Sequence, residues 1–251
     1  MSQVATPGGA PASSSPPASS DGATERSLPP QRRIAHAEAL AWLDANAAEP
    51  GSSVITSLPD VSELSGLGLD FEGWRTWFVG AARRILRWIP PEGVAIFFQS
   101  DIRHHGIWVD KGYLIARAAE EEGAALLWHK IICRVAPGTP TFGRASYSHM
   151  LCLSQKPREP PKRASPDVLA GAGFKPWSRA MGVDACVLAC RYLLDETETR
   201  VVVDPFCGHG TALAVANALG LDAVGVDLGA RRCRAARKLV VELRPTADLP
   251  R

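Results

Sequence analysis

Residues 201–211 read Val-Val-Val-Asp-Pro-Phe-Cys-Gly-His-Gly-Thr, and no other stretch limits the possible folds so tightly. Three β-branched residues running into an acid predict the end of a buried strand. A Gly-x-Gly turn follows, and 211–219 has the pattern of a helix. A second strand at 223–227 closes on Asp227, 23 positions after Asp204. Strand, acid, glycine turn, helix, strand and acid in that order predict a parallel β-α-β unit. The glycines allow a tight turn and close approach of backbone to a ligand. An acid at the distance of Asp227 is placed to accept hydrogen bonds from ribose hydroxyls.

Dinucleotide binding fits this unit poorly. The fingerprint Gly-x-Gly-x-x-Gly is incomplete, because Leu213 stands three positions after Gly210. A pyrophosphate needs bare amides at a helix N-terminus, and Asp204 repels it. An acid at that point suits a cationic ligand, such as the amino group and sulfonium of S-adenosylmethionine. That cofactor is the expectation from the residues alone.

The rest of the chain supplies a sheet for the unit to join. With 251 residues and 46% hydrophobic content, the chain has material for one well-buried domain. Residues 1–33 are Pro, Ala, Ser and Gly with almost no large apolar side chain, a composition that predicts a disordered tail. The domain is expected over 34–251. Helices are expected at 35–48, 74–88, 113–122, 183–194, 211–219 and 231–243. Strands are expected at 53–56, 93–99, 125–134, 148–154, 199–204 and 223–227. The pair 125–134 and 148–154 reads as antiparallel at one edge of a parallel-rich sheet. A polar linker, 155–170, divides an acceptor half, 34–154, from a cofactor half, 171–251.

The formal charge of +2 neither demands nor forbids a nucleic-acid partner. Six cysteines, at 133, 152, 186, 190, 207 and 233, form no Cys-x-x-Cys pair, which predicts reduced thiols rather than a disulfide frame or zinc site. His104 and His105 are adjacent but no third ligand is placed with them, so no metal is expected. No apolar run is long enough to cross a bilayer and no secretory pattern opens the chain. A cytoplasmic enzyme that meets no membrane is the expectation.

Asp204-Pro205-Phe206-Cys207-Gly208-His209-Gly210-Thr211, with Gly225-Val226-Asp227 downstream, resembles motif I and its following acid in the DNA amino-methyltransferases that modify N4 of cytosine or N6 of adenine. The closest resemblance is to the class whose cofactor motifs follow the catalytic motif. It implies a seven-strand, Rossmann-like α/β S-adenosylmethionine methyltransferase fold in permuted order. It implies cofactor contacts from Asp204, Phe206, Gly208, Gly210, Thr211 and Asp227. Phe174-Lys175-Pro176 resembles the segment before motif I that helps to hold the cofactor, which adds Lys175. Residues 92–100 resemble the motif VI strand. Residues 140–154, with Phe142-Gly143-Arg144 and Tyr147, resemble the stretch before the target-recognition region.

Two departures bear on chemistry. The family's catalytic tetrapeptide is Asp/Asn/Ser-Pro-Pro-aromatic. Here the position reads Ser57-Leu58-Pro59-Asp60. Ser57 and Pro59 match, and Asp60 stands where an aromatic ring stacks on an extruded base. Ser57, Pro59 and Asp60 are the candidate catalytic residues, with Asp60 able to orient an amine, accept a proton or cap a turn. The second departure is size: 155–170 cannot supply an element for the major groove. That favours structured RNA over duplex DNA as the acceptor. Gln99, Asp101, Arg103 and His104 follow a central strand and, with Arg144, are candidate substrate contacts. A small-molecule or protein methyltransferase, or a non-catalytic cofactor-binding scaffold, are the alternatives.

Overall fold

A computed structural model of the protein describes residues 29–64, 66 and 68–243; most of the expected tail lies outside them. Ten strands and six α-helices follow in chain order: β1 (Arg32–His36), α1 (Ala39–Ala45), β2 (Ser52–Thr56), α2 (Phe71–Trp88), β3 (Ala95–Gln99), β4 (Ile102–His104), β5 (Ile107–Val109), α3 (Lys111–Glu122), β6 (Ala125–Cys133), β7 (Tyr147–Ser154), β8 (Val168–Leu169), α4 (Val183–Glu196), β9 (Val201–Asp204), α5 (Thr211–Ala218), β10 (Asp222–Asp227) and α6 (Ala230–Lys238). The main sheet has the order β1-β10-β9-β2-β3-β7-β6-β8. From β1 to β3 every pairing is parallel. β7 is antiparallel to both β3 and β6. Seven strands make the body of the sheet, and two-residue β8 adds a parallel fringe to β6.

Side chains alternate along each strand, so the sheet is covered on both faces. Ile55, Ile96, Phe98 and Val202 pack on one face with α4 and α5. Val54, Phe97, Ala95 and Val203 pack on the other with α2 and α3. Trp74 and Phe78 of α2 are fully buried there. Trp77 from the same helix instead reaches the cavity described below.

Several expected boundaries are corrected. Arg32 and Arg33, placed in the tail by composition, open β1, and Ala35–His36 is strand rather than helix. The following helix begins only at Ala39, where the Glu38 carboxylate accepts from the amides of Leu40 and Ala41. The expected final helix stops at Lys238. Beyond it Leu239, Val241 and Leu243 are half-buried while Val240 and Glu242 face solvent, a period of two that lets Val241 and Leu243 pack on the core. The loop expected after β3 contains the β4–β5 hairpin. Its turn is His105-Gly106, with φ of 46° and 82°, the positive values that a two-residue hairpin turn requires. The linker 155–170 ends in β8 and is tied down: Arg158 donates to the carbonyl of Gly93 at 2.9 Å, and Lys130 to that of Pro166 at 3.0 Å.

Candidate functional site

In a parallel sheet, ligands collect beyond the carboxyl ends of the strands, where the chain order reverses. Here that switch falls between β9 and β2. From β9 the chain continues outward to β10; from β2 it continues the other way to β3. A cavity of about 850 Å³ opens at this edge.

The glycine turn forms one wall. Asp204 ends β9 and is 2% exposed. Its carboxylate accepts from the Thr56 hydroxyl at 2.7 Å and the Phe206 amide at 3.1 Å. Burial outweighs these bonds and pushes its pKa up to about 7, with the nearby Asp227 charge adding to the rise. Gly208, at φ 53°, donates its amide to Asp227 at 3.1 Å. Asp227 also accepts from the Gly229 amide at 2.6 Å and from Arg232 at 2.7 Å. Thr211 opens α5, lines the cavity and has a buried hydroxyl with no partner among the described residues. Lys175 lines the facing wall, its ammonium pKa lowered first by burial and then by Arg134. Trp177 stacks on His209 at 4.5 Å above the glycine turn, and Phe206 meets the edge of Trp77 at 5.8 Å. Of the residues expected to hold the cofactor, only Gly210 is not in the lining. Its φ is 78°, and a Cβ there would lie 2.9 Å from that of Ala236, so it serves the turn and the packing of α6.

The chain leaving β2 forms the second wall, with Ser57, Leu58, Pro59 and Asp60 all in the lining. The Pro59 carbonyl accepts from the Trp74 indole at 3.2 Å, and the Asp60 amide donates to Glu63 at 2.9 Å. The Asp60 carboxylate is ion-paired with the ammonium of Lys111. Lys111 was not among the sequence candidates. As the first residue of α3 it reads as surface, because a lysine there opposes the helix dipole. Its side chain is 4% exposed.

The remaining candidates separate. Asp101 lines the cavity but is held by four donors: the Lys111 amide at 2.9 Å, His149 at 3.1 Å, the Trp108 indole at 3.2 Å and the Tyr147 hydroxyl at 3.4 Å. Burial works against its ionised form, yet the bond from His149 and the Lys111 amide hold its pKa below the usual value. Asp101 therefore ties β7, α3 and the hairpin together. With Asp110 and His149 it makes a group of three ligand atoms within 4.8 Å, but Asp110 already accepts from the Tyr113 amide at 2.8 Å. Arg103 and Arg144 line the mouth, exposed. Gln99 and His104 are not in the lining. Gln99 is 0% exposed on the opposite face of β3, with neither amide atom paired among the described residues. His104 stacks on Phe71 at 4.1 Å.

This architecture is the fold of solved DNA methyltransferases. TTHA0409 from Thermus thermophilus, a candidate DNA modification methylase also solved with S-adenosyl-L-methionine, superposes with a TM-score of 0.62 at 19% identity over 82% of this chain and 92% of that one. The complex of M1.HpyAVI with SAM gives 0.55 at 16%, over 83% and 99%. The cytosine-N4-specific PvuII DNA methyltransferase gives 0.61 at 15%, over 85% and 88%. Neither the models of known families nor the curated proteins contain a match to this chain. Among the described residues no helix is long and apolar enough to cross a membrane.

Proposed function

We propose that the chain transfers a methyl group from S-adenosylmethionine to the exocyclic amine of a base in DNA. The observation that carries this reading is the single cavity shared by the glycine turn and by Ser57-Leu58-Pro59-Asp60. Donor and acceptor then meet across the switch point, where the Thr56 hydroxyl joins the two walls through Asp204.

The residues present fit the cofactor. Thr211 offers an unpaired buried hydroxyl, and a buried polar group without a partner is a site where a ligand atom restores a lost bond. Asp204 and Asp227 are acids facing a cavity, suited to a cationic amino acid group and to ribose hydroxyls respectively. The sulfonium supplies an already activated methyl, so the protein needs to position, desolvate and dispose of one proton. In this reading Ser57 holds one N–H of the amine. Arg103, Arg134 and Arg144 at the mouth are exposed and form no ion pair among the described residues, which suits phosphate contacts.

The preference for RNA rested on the short linker 155–170, which offers no element for the major groove. The solved structures similar to this chain do not support it, since they are DNA methyltransferases or, like TTHA0409, a candidate DNA modification methylase. Titration calorimetry with S-adenosylmethionine tests the cofactor half. Wild-type protein should bind, and Thr211→Val should bind more weakly at unchanged melting temperature. Absence of binding to the wild type would remove the proposal.

A further inference from the structure

Lys111 is a buried cation in the cavity wall to which the proposed transfer assigns no role. It is 3% exposed. An ammonium has three N–H donors. One goes to Asp60, and among the described residues no other acceptor bonds the Nζ. Two donors of a desolvated cation in the cavity wall are therefore without a protein partner among the described residues, a costly arrangement unless a ligand supplies an acceptor. Asp60 already balances the charge, so the fitting acceptor is neutral, a ring nitrogen or carbonyl oxygen rather than a phosphate. The Asp60 side chain is 36% exposed, and a carboxylate has lone pairs beyond the one Lys111 takes. Side by side, the pair presents an acceptor and a donor.

We propose that the Asp60–Lys111 pair reads the edge of the acceptor base, Asp60 accepting from the exocyclic amine and Lys111 donating to the neighbouring ring nitrogen. This rests on the base-methylating reading above. Adenine and cytosine share that edge, an amine beside an unprotonated ring nitrogen. On the Watson–Crick edge guanine and uracil carry a ring N–H there instead and are rejected. The pair thus replaces recognition of the base's face by an aromatic ring with recognition of its edge.

The test uses full-length protein and labelled cofactor on oligonucleotides carrying adenine or 1-deazaadenine, and cytosine or 3-deazacytosine. The deaza bases keep the amine and replace the ring nitrogen by C–H. Wild type should lose about ten- to a hundredfold in kcat/KM on the deaza analogue of its own base, the scale of one good base contact. Lys111→Met should be slower than wild type on the natural base by a similar factor and lose little more on the analogue. Removing the nitrogen also alters the amine, so non-additivity is the deciding quantity. Equal further loss in Lys111→Met, or a wild type indifferent to the analogue, would overturn the proposal. Cofactor affinity and melting temperature of Lys111→Met report whether it folds. If it does not, Asp60→Asn takes its place: it should lose amine-side discrimination while still sensing the ring nitrogen, and an unchanged kcat/KM overturns the proposal. Absence of methyl transfer to any base sinks the parent reading instead.

Discussion

Asp204 keeps its acid in a place that favours the neutral form. In the unfolded chain it titrates near 3.8, and in the fold near 7. Between those values the folded state holds a proton that the unfolded state has lost. Its contribution to stability is therefore complete below about 4 and falls away as pH rises to about 7. A cationic ligand reverses the preference and expels the proton. Cofactor affinity should accordingly rise with pH up to about 7 and level off above it, with proton release below that pH visible as buffer-dependent enthalpy in calorimetry. Asp204→Asn should abolish that dependence, and an unchanged pH profile would show that Asp204 does not face the cation. Asp227→Ala should weaken cofactor binding by about 1.5–3 kcal/mol, roughly ten- to a hundredfold in Kd, because it removes a carboxylate that also orders Gly208 and Gly229. Unchanged affinity would misplace the ribose. The glycine turn and both acids were legible in the sequence because adjacent residues build them. The ion pair of Asp60 with Lys111 was not, because 51 positions separate the partners and no local pattern announces a buried lysine.

β1 shows how an element can be hidden. Arg-Arg-Ile-Ala-His has no strand signature, and the stretch after it suits a helix. Its strand geometry comes from the exposed edge of β10, so tertiary pairing overrides weak local preference. Arg32 adds a second tie. Its guanidinium donates to Asn217 at 2.6 Å and to the carbonyls of Ala236 and Leu239, at 2.9 and 2.6 Å, at the end of α6. A cation there also complements the helix dipole. A chain beginning at Ile34 should therefore melt below one beginning at Pro29. Arg32→Ala should cost about 1.5–3 kcal/mol, the range for hydrogen bonds from a charged group. Equal melting temperatures would show that the edge strand contributes little. The hairpin β4–β5 escaped for a different reason. Its turn places His105, a residue with no strong turn preference, at positive φ, and only Gly106 marks it.

At the level of the whole molecule, the order of elements was readable and the cavity's composition was only partly so. Helical and strand periods predicted both faces of the sheet, since each face must bury apolar side chains on helices. The side of β3 from which Gln99 projects could not be read the same way. Its run is apolar on both faces, and a one-residue shift in register moves a polar residue from the cavity to the core. The same topology makes a strong demand: if β9 and β2 bring a donor and an acceptor together, a methyl group must pass between them. Incubation of the protein with labelled S-adenosylmethionine and unmethylated DNA, RNA or protein, followed by digestion and mass spectrometry, measures this directly. Label is expected in DNA, as N6-methyladenine or N4-methylcytosine, and reduced in Asp227→Ala at limiting cofactor. Label confined to RNA would change the polymer and keep the chemistry. Label in protein, or transfer to no acceptor by a protein that binds the cofactor, would contradict the proposal.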